Sequence, residues 1–387
     1  MTKIILLGAS GSIGKQTLDV MKKHRDDFML NAFSVGQRTR CISSILKTFP
    51  EVKNICIKDK KKADTYQKRY PNINFYHGDE GLVELIKHDD GDMVVNALVG
   101  FVGFYPSVVT LECNKDLALA NKESLVVGGE IVNKLLKTSK GKLYPIDSEH
   151  AAISKCLDVD SDNVEKIIIT ASGGAFRNLS REELKDVKAI EALKHPTWTM
   201  GKKITIDSAT MVNKCFEVIE AHYLFHYPKE KIGVILHKES HVHSMVKYKD
   251  GTYRADISKP DMRNPIKYAI YRKMTDFKTY VATDYHDFGP YSFNDFDYER
   301  YPVLKWADYV IDHKGIMGAV LNATNEVAVY AYLDDQIPFL LIEFLIEKMM
   351  LTTKNIKNPS VEQLIEADKN ARKETRKMIE KWRNNQR

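Results

Sequence analysis

Three acidic residues have the side-chain type and the spacing needed to bind a divalent metal ion. Asp147 and Glu149 are separated by one residue and follow an apolar run at 143–146. In an extended chain, side chains at positions i and i+2 point the same way, so these two carboxylates can converge on one cation. Glu217 is the candidate for a third ligand. Carboxylate oxygens that leave room for water and substrate oxygens suit Mg²⁺ or Mn²⁺.

The segment that leads to Glu217 predicts a helix with a polar face. Asp207 or Ser208 can cap the N-terminus of this helix, and Asn213 and Glu217 then lie four residues apart on one face. Lys214 adds a positive charge, so the face is a candidate surface for phosphate and metal. The alternative is a solvated helix face without a ligand.

A polar turn formed by Asn121, Lys122 and Glu123 follows an apolar run at 117–120. In parallel sheets, ligands bind outside the carboxyl ends of the strands. This turn is therefore a candidate contact for substrate or cofactor. The alternative is the start of a helix with Asn121 as its cap.

Two loops in the middle of the chain are candidates for binding a phosphorylated substrate. Ser172 begins a Ser-Gly-Gly turn after the run at 167–170, and such a turn can offer N–H groups and a hydroxyl to a phosphate. His195, Trp198 and Gly201 lie in a loop that suits a lid closing over a substrate to exclude water. The alternatives are an ordinary turn and a packed loop anchored by Trp198.

A glycine-rich turn at residues 8–14, with the sequence GASGSIG, predicts a dinucleotide site. It follows an apolar run at 4–7 and precedes a helix-like stretch at 15–23. Glycines let the backbone approach a pyrophosphate, which the helix N-terminus attracts. The spacing matches the dinucleotide fingerprint only in part, and the alternative is a tight turn without a ligand.

The end of the second predicted strand favours NADPH over NADH. An NAD site usually places an acidic residue there, whereas residues 34–40 contain no acid and include Arg38 and Arg40. A guanidinium group suits a 2′-phosphate through charge-assisted hydrogen bonds. One of the two arginines could instead be an ordinary surface charge.

The composition is that of a globular protein, because 43% of the residues are hydrophobic and 28% are charged. The length of 387 residues predicts two or three domains. No apolar run approaches the ~18–20 residues of a membrane helix, and no signal peptide is visible. The five cysteines are widely spaced and form no CxxC pair. This predicts neither disulfides nor a thiolate zinc site and fits a reducing cytoplasm.

The net charge of +6 comes from the C-terminus, since residues 369–387 contain eight basic and two acidic residues. The alternation of basic and apolar positions indicates an exposed terminal helix. A nucleic-acid or membrane surface is the less favoured interpretation, because nothing upstream is typical of a nucleic-acid module.

Apolar runs predict an α/β protein in several parts. Short runs at 4–7, 30–35, 93–98, 117–120 and 143–146 alternate with amphipathic stretches, which indicates an N-terminal Rossmann-like parallel sheet. Runs at 167–170, 203–206 and 234–236 indicate a central α+β catalytic domain, and helical spacing after 298 indicates a C-terminal helical bundle. We expect domains at 1–146, 147–274 and 298–387, with a connecting segment at 275–297.

Five motifs in chain order strongly resemble those of the 1-deoxy-D-xylulose 5-phosphate reductoisomerase family. They are GASGSIG at 8–14, LANKES at 119–124, DSEH at 147–150, HPTWTMG at 195–201 and DSATMVNK at 207–214. The resemblance continues through HSMV at 243–246, PDMR at 260–263, YP at 301–302 and LNATNE at 321–326, so it covers essentially the whole chain.

The resemblance implies a role for each motif position. The metal ligands of the family match Asp147, Glu149 and Glu217, and the catalytic residues are these three together with Lys122. The substrate contacts match Lys122, Ser148, Glu149, Ser172, His195, Trp198, Ser208, Asn213, Lys214 and Glu217. The cofactor contacts match Ser10, Gly11, Ser12, Ile13, Gly36, Gln37, Arg38, Asn121, Glu123 and Gly201.

The resemblance also implies a reaction, in which 1-deoxy-D-xylulose 5-phosphate is isomerised and reduced to 2-C-methyl-D-erythritol 4-phosphate in the non-mevalonate isoprenoid pathway. NADPH and Mg²⁺ or Mn²⁺ would be the cofactors. The protein would be a cytoplasmic homodimer and an NADP-dependent oxidoreductase, with no nucleic-acid or membrane partner.

The chain departs from the family pattern at two single positions and at one residue pair. Ser10 stands where many members have Thr, and Cys215 stands where Gly is usual. Gln37 and Arg38 replace a common Lys-Asn pair, so it stays open which of Gln37, Arg38 and Arg40 contacts the 2′-phosphate. Two other functions stay open as well: a metal-independent NADPH dehydrogenase of another phosphorylated carbonyl compound, and a non-catalytic protein that binds NADPH or nucleic acid.

Overall fold

The described residues form two β-sheets, one in each of two units of the fold. The structure is a computed structural model, and it describes residues 1–157, 161–272, 284, 286 and 288–386. Unit 1 consists of the described residues within 1–124, 131–151 and 261–280, and unit 2 of those within 125–130, 152–260 and 281–387.

The first 157 residues alternate strands with helices. The strands are β1 Thr2–Leu7, β2 Phe28–Val35, β3 Asn54–Ile57, β4 Asn74–His77, β5 Met93–Asn96, β6 Asp116–Leu119 and β7 Leu143–Pro145. The helices are α1 Ser12–Lys23, α2 Ile42–Thr48, α3 Lys60–Arg69, α4 Gly78–His88, α5 Phe104–Glu112, α6 Glu123–Leu136 and α7 Ser148–Leu157, with a 3₁₀ turn at Phe101–Gly103.

All strand pairs in the sheet of unit 1 are parallel, in the order β4-β3-β2-β1-β5-β6-β7. Alternate residues of a strand point to opposite faces. Ile4 and Leu6 therefore pack with buried residues of α1 on one face, and Ile5 and Leu7 pack with residues of α4 and α5 on the other. Strands buried on both faces need continuous apolar runs, which is the pattern that predicted this sheet.

The remainder of the chain forms a second, mixed sheet and most of the helices of unit 2. The strands are β8 Val164–Ala171, β9 Ile232–Leu236, β10 Val242–Tyr248, β11 Tyr253–Ile257 and β12 Asn294–Asp295. The helices are α8 Ala189–Ala192, α9 Lys202–Thr210, α10 Val212–Phe225, α11 Arg263–Tyr271, α12 Lys305–His313, α13 Met317–Leu333, α14 Phe339–Thr352 and α15 Val361–Asn385. Short 3₁₀ turns lie at Glu183–Lys185, Lys229–Lys231 and Pro302–Leu304.

The sheet of unit 2 has the order β11-β10-β8-β9-β12, and only the β8–β9 pair is parallel. Helix α13 is buried on nearly every side and packs against α14 and α15. Helix α11 instead belongs to unit 1, where Ile266, Ala269 and Ile270 join the core that contains Ile4.

The predicted fold class is confirmed: a parallel N-terminal sheet, a mixed second sheet and C-terminal helices. The apolar run at 203–206 lies in helix α9 and not in a strand. The domain boundaries at 146, 274 and 297 stay predictions, and residues 275–283, 285 and 287 of the expected connecting segment lie outside the described residues.

Two expectations from composition can be compared with the structure. Cys41, Cys56, Cys113, Cys156 and Cys215 are all free thiols, as the absence of a disulfide pattern predicts. Among the described residues, no helix combines the length and the apolar content that crossing a membrane requires.

Candidate active site

The glycine turn lies between β1 and α1 and requires glycine at two positions. Gly8 has a φ of +85°, and a Cβ there would lie 2.6 Å from the carbonyl oxygen of Ala97. A Cβ on Gly14 would lie 2.3 Å from the carbonyl oxygen of Gly8. The N-cap residue of α1 is Gly11, which has no side chain with which to cap the helix. The backbone N–H groups of Ser12 and Ile13 therefore lie at a helix N-terminus shaped for a phosphate group.

This turn also lies at the point where the order of the sheet reverses. β1 has β2 on one side and β5 on the other, and the chain builds outward from β1 in both directions. Dinucleotides bind at such a point, outside the carboxyl ends of the strands. The close backbone approach and the position in the sheet both fit the predicted NADPH site.

The loop after β2 contains the residues expected to select NADPH. Gln37, Arg38 and Arg40 are exposed, and a Cβ on Gly36 would contact nothing within 4 Å. Lys62, which no sequence motif predicts, donates from its Nζ to the carbonyl oxygen of Gln37 at 3.0 Å. This contact joins residues that are 25 positions apart, so no local sequence motif indicates it.

Asn121 is buried and holds the turn after β6 in place. Its Nδ2 donates to the carbonyl oxygens of Leu98 at 3.0 Å and Gly100 at 2.9 Å, and to Glu123 Oε2 at 3.2 Å. Its Oδ1 accepts from the backbone N–H of Ser124 at 3.1 Å. The amide oxygen therefore accepts from a backbone N–H in the first turn of α6, although the N-cap residue of this helix is Lys122. The assignment of Asn121 as a cofactor contact stays a prediction.

Lys122 and Asp147 form an ion pair between their Nζ and Oδ2 atoms. Lys122 lies just beyond β6 and Asp147 just beyond β7, and these two strands are parallel neighbours. Their carboxyl ends therefore bring both side chains to the same edge of the sheet. The cation and the acid that the sequence predicted separately are in contact.

The acidic pair Asp147 and Glu149 does not lie in an extended segment, and that expectation was wrong. Helix α7 begins at Ser148, so Glu149 belongs to its first turn. The backbone N–H of Glu149 donates to Asp147 Oδ1 at 3.4 Å, and Ser148 Oγ donates to Glu149 Oε2 at 2.5 Å. Carboxylates are favoured at a helix N-terminus because its N–H groups and dipole stabilise negative charge.

Ser172 and His195 are brought together in unit 2. The two glycines after Ser172 have φ values of +88° at Gly173 and +69° at Gly174, which turn the chain sharply at the end of β8. Ser172 Oγ then lies 3.1 Å from His195 Nε2. A Cβ on Gly174 would lie 2.6 Å from the carbonyl oxygen of Ser208, so the turn also packs against α9.

The loop from 195 to 201 fixes the orientation of the His195 ring. The backbone N–H groups of Thr197 and Trp198 donate to His195 Nδ1 at 3.2 and 3.0 Å. A neutral ring that accepts at Nδ1 carries its proton on Nε2, which is the atom next to Ser172. Trp198 is half-buried, with its ring 6.2 Å from that of His243, and Gly201 is the N-cap residue of α9.

The helix start predicted at Asp207 or Ser208 is wrong. Both residues lie inside α9, which ends before Met211, a residue with a φ of +64°. The Asp207 carboxylate is instead paired with Lys203 Nζ at 2.7 Å and accepts from Asn325 Nδ2 at 2.8 Å. The contact with Asn325 could not be predicted from local sequence, because the two residues are 118 positions apart.

The first turns of α10 carry Asn213, Lys214 and Glu217. Asn213 Nδ2 donates to Glu217 Oε1 at 2.5 Å, which confirms the expected i, i+4 face. Lys214 Nζ donates to Glu217 Oε2 and, at 2.6 Å, to the carbonyl oxygen of Thr170. Because Glu217 is only 1% exposed, the alternative of a solvated helix face is wrong.

The predicted site residues thus form local groups within each unit. In unit 1, the glycine turn, the loop after β2 and the Lys122–Asp147 pair all follow strands of the parallel sheet. In unit 2, the end of β8 contacts His195 through Ser172 and Lys214 through Thr170. Hydroxyl, imidazole and ammonium donors gathered in this way can bind a phosphate group.

Family profiles match three consecutive parts of the chain. Residues 4–129 match 1-deoxy-D-xylulose 5-phosphate reductoisomerase, and residues 143–225 match the C-terminal domain of that enzyme. Residues 257–374 match a further profile described as the DXP reductoisomerase C-terminal domain.

Curated proteins similar to this chain carry the same family name. The 1-deoxy-D-xylulose 5-phosphate reductoisomerase of Macrococcus caseolyticus is 44% identical over 370 residues, which cover 95% of this chain and 97% of that protein. The enzyme of the same name from Listeria innocua is 42% identical over 374 residues, covering 96% and 98%.

Solved structures similar to this one belong to the same family. A crystal structure of DOX-P reductoisomerase in complex with NADPH, fosmidomycin and magnesium has a TM-score of 0.92 at 32% identity, covering 98% of each chain. The enzyme from Zymomonas mobilis in complex with NADPH has a TM-score of 0.89 at 35% identity, covering 98% of this chain and 99% of that one. The family expected from the motifs is confirmed, and this chain belongs to the 1-deoxy-D-xylulose 5-phosphate reductoisomerase family.

Proposed function

We propose that this chain converts 1-deoxy-D-xylulose 5-phosphate to 2-C-methyl-D-erythritol 4-phosphate, with NADPH and a divalent metal ion as cofactors. The observation that carries the proposal is the match to this family along almost the whole chain, with curated relatives that are 42% and 44% identical. The expected enzyme class, reaction and cofactors agree with the relatives, among which are structures with NADPH and magnesium.

For NADPH, the glycine turn would hold the pyrophosphate at the N-terminus of α1. A Cβ on Gly14 would collide with the carbonyl oxygen of Gly8, so glycine there lets the start of α1 pack closely on the turn, as in dinucleotide-binding folds. The residues proposed to contact the cofactor are Ser10, Gly11, Ser12, Ile13, Gly36, Gln37, Arg38, Asn121, Glu123 and Gly201. NADPH supplies the reducing equivalent of the reaction.

For the metal, we propose Asp147, Glu149 and Glu217 as ligands. All three are carboxylates, the hard oxygen ligands that Mg²⁺ and Mn²⁺ prefer. Asp147 and Glu217 are both buried, and each is paired with a lysine. A buried carboxylate needs such a positive charge beside it, whether from a lysine or from a metal ion. When bound, the metal polarises the oxygens of the substrate as a Lewis acid.

The phosphate of the substrate would be held by Ser172, His195, Ser208, Asn213 and Lys214. These side chains supply donors of four kinds (hydroxyl, imidazole, amide and ammonium) from the end of β8, the loop at 195–201, α9 and the start of α10. Binding energy from this non-reacting group can be used to orient the reacting end of the substrate. The loop that carries Trp198 would cover the substrate and exclude water.

At the reacting end, we propose Lys122 and Ser148 as substrate contacts. The Lys122 ammonium is held beside Asp147 at the edge of the sheet. A preorganised cation in a site with little water stabilises negative charge that develops on a substrate oxygen. Ser148 lies between the two proposed metal ligands; its O–H donates to Glu149, and its oxygen can accept from a substrate hydroxyl.

Identification of the product tests the proposal against its alternatives. We expect the full-length protein, NADPH, Mg²⁺ and 1-deoxy-D-xylulose 5-phosphate to yield 2-C-methyl-D-erythritol 4-phosphate, identified by its branched carbon skeleton in NMR spectra. An unbranched reduced product formed equally well with a chelator would support a metal-independent dehydrogenase. NADPH binding without any product would support a non-catalytic protein.

We also propose that the protein is a cytoplasmic homodimer, as the family resemblance implies. The domain division at 146, 274 and 297 is part of the same proposal. Light scattering on the purified protein should give twice the chain mass of 44.3 kDa. A mass equal to that of one chain would contradict the dimer.

A further inference from the structure

One lysine outside the family motifs contacts the loop that follows β2. Lys62 lies in the first turn of α3, and its Nζ donates to the carbonyl oxygen of Gln37 at 3.0 Å and to Gln37 Oε1 at 3.5 Å. Lys62 is half-buried, whereas Gln37, Arg38 and Arg40 are exposed. The ammonium group of Lys62 is therefore held in a defined position on this loop.

One face of α3 contacts the loop at two points and the following helix α2 at a third. Lys62, Tyr66 and Tyr70 are spaced four residues apart, so they lie on the same face of the helix. The hydroxyl of Tyr66 donates to the carbonyl oxygen of Thr39 at 3.0 Å, and the hydroxyls of Tyr70 and Ser43 are 3.0 Å apart. These contacts keep the loop against α3 and Gln37 next to Lys62.

The charges around Lys62 favour an anion. Residues 58–62 contain four lysines and one acid, Asp59. Asp59 is the N-cap residue of α3, and its carboxylate accepts from the backbone N–H of Lys62 at 2.8 Å. The loop from 36 to 40 adds Arg38 and Arg40 and contains no acid. This corner of unit 1 is thus strongly basic and attracts a phosphate.

We infer that Lys62, together with the Gln37 side chain, binds the 2′-phosphate of NADPH and thereby selects NADPH over NADH. The end of β2 is where dinucleotide folds recognise the adenosine ribose. An ammonium group has three N–H donors, and its two contacts with Gln37 leave one for a phosphate oxygen. This inference rests on the NADPH role proposed above. It assigns Lys62 as the positively charged residue that is held in place at the end of β2.

Equilibrium binding of NADPH and NADH to the full-length protein, measured by nicotinamide fluorescence without substrate, tests the inference. The variants are Lys62→Ala and, as a matched control, Lys61→Ala, which removes the same charge from an exposed position in the same helical turn. We expect Lys62→Ala to raise the Kd of NADPH about tenfold or more, the scale of one charge-assisted hydrogen bond. The Kd of NADH should change less than about twofold, since NADH lacks the phosphate.

Three outcomes would overturn the inference. If Lys62→Ala weakened the binding of NADPH and NADH by the same factor, Lys62 would only position the loop. If Lys61→Ala raised the Kd of NADPH as much as Lys62→Ala does, the total positive charge of this region would matter and not a defined contact of Lys62. Wild-type protein that binds NADH as tightly as NADPH would contradict the proposed coenzyme itself, and this result separates a failure of the proposed function from a failure of Lys62 alone.

Discussion

The ammonium group of Lys122 and the carboxylate of Asp147 form an ion pair in which each side chain is only 8% exposed. Two charges withdrawn from water stabilise each other only while both are present. The pair places a fixed positive charge beside a proposed metal ligand, at the ends of two neighbouring strands. It therefore links the stability of unit 1 to the chemistry proposed for it.

Replacing Lys122 by Met should impair both properties. We expect kcat to fall about 10²–10³-fold, because a preorganised donor to developing charge is lost. The free energy of unfolding should fall by about 3–5 kcal/mol, because the Asp147 charge remains buried. Steady-state kinetics and urea unfolding measure the two effects.

The matched control for Lys122 is Lys247→Met, which breaks a more exposed ion pair with Glu165. Exposed pairs contribute at most about 1 kcal/mol, so activity and stability should stay close to those of the wild type. A Lys122→Met protein as active as this control would contradict the catalytic role of Lys122.

Replacing Gly14 by Ala should damage the dinucleotide site. The added methyl group would lie 2.3 Å from the carbonyl oxygen of Gly8, so we expect a loss of about 1–3 kcal/mol in the free energy of unfolding and weaker NADPH binding. Gly289→Ala is the control, because a Cβ there has no neighbour within 4 Å. Unchanged NADPH affinity in Gly14→Ala would show that the turn does not bind the cofactor.

Replacing Ser172 by Ala should weaken substrate binding more than it slows the reaction. Removing a hydrogen bond to a charged phosphate should raise KM about tenfold or more, with a smaller change in kcat. Ser180→Ala, at an exposed position in the same unit, should leave both constants unchanged. A fall in kcat with no change in KM would place Ser172 at the reacting end of the substrate.

Three buried cysteines should resist alkylation in the folded protein. Burial raises the pKa of the Cys156 thiol to about 11 and that of Cys56 to about 12, and it raises the pKa of Cys215 as well. The thiolate is the reactive form, so a raised pKa lowers its population at every pH below that value. Mass spectrometry after iodoacetamide treatment at pH 8 should find these residues modified only in denaturant, and modification in the folded state would contradict the burial.

Features encoded by neighbouring residues were predictable from the sequence. The glycine turn could be identified because its glycines lie within seven residues, directly after the first strand. The contact between Asn213 and Glu217 follows from helix geometry, because residues four apart lie on one face. The apolar runs predicted the central strands for the same reason, since strands buried on both faces need uninterrupted apolar residues. Strands β3 and β4 were both missed. Each has only four residues, and those of β4 are at least partly exposed.

Features that depend on contacts between distant residues were not predictable. Asp207 was expected to cap a helix, but it pairs with Lys203 and with Asn325, 118 positions away. Asp147 and Glu149 were expected in extended chain, but α7 starts between them. Lys62 belongs to no motif, and only the folded chain brings it to Gln37.

The most direct test of the proposed function is NADPH oxidation with 1-deoxy-D-xylulose 5-phosphate, followed optically for the wild type and for Glu149→Gln. We predict turnover that a chelator abolishes and excess Mg²⁺ or Mn²⁺ restores. Glu149→Gln should lose about 100-fold or more of this activity, because one proposed metal ligand becomes neutral. Glu80→Gln, an exposed acid in the first turn of α4, should behave as the wild type. Turnover that is indifferent to the chelator, or a fully active Glu149→Gln protein, would contradict the metal-dependent reaction proposed for this chain.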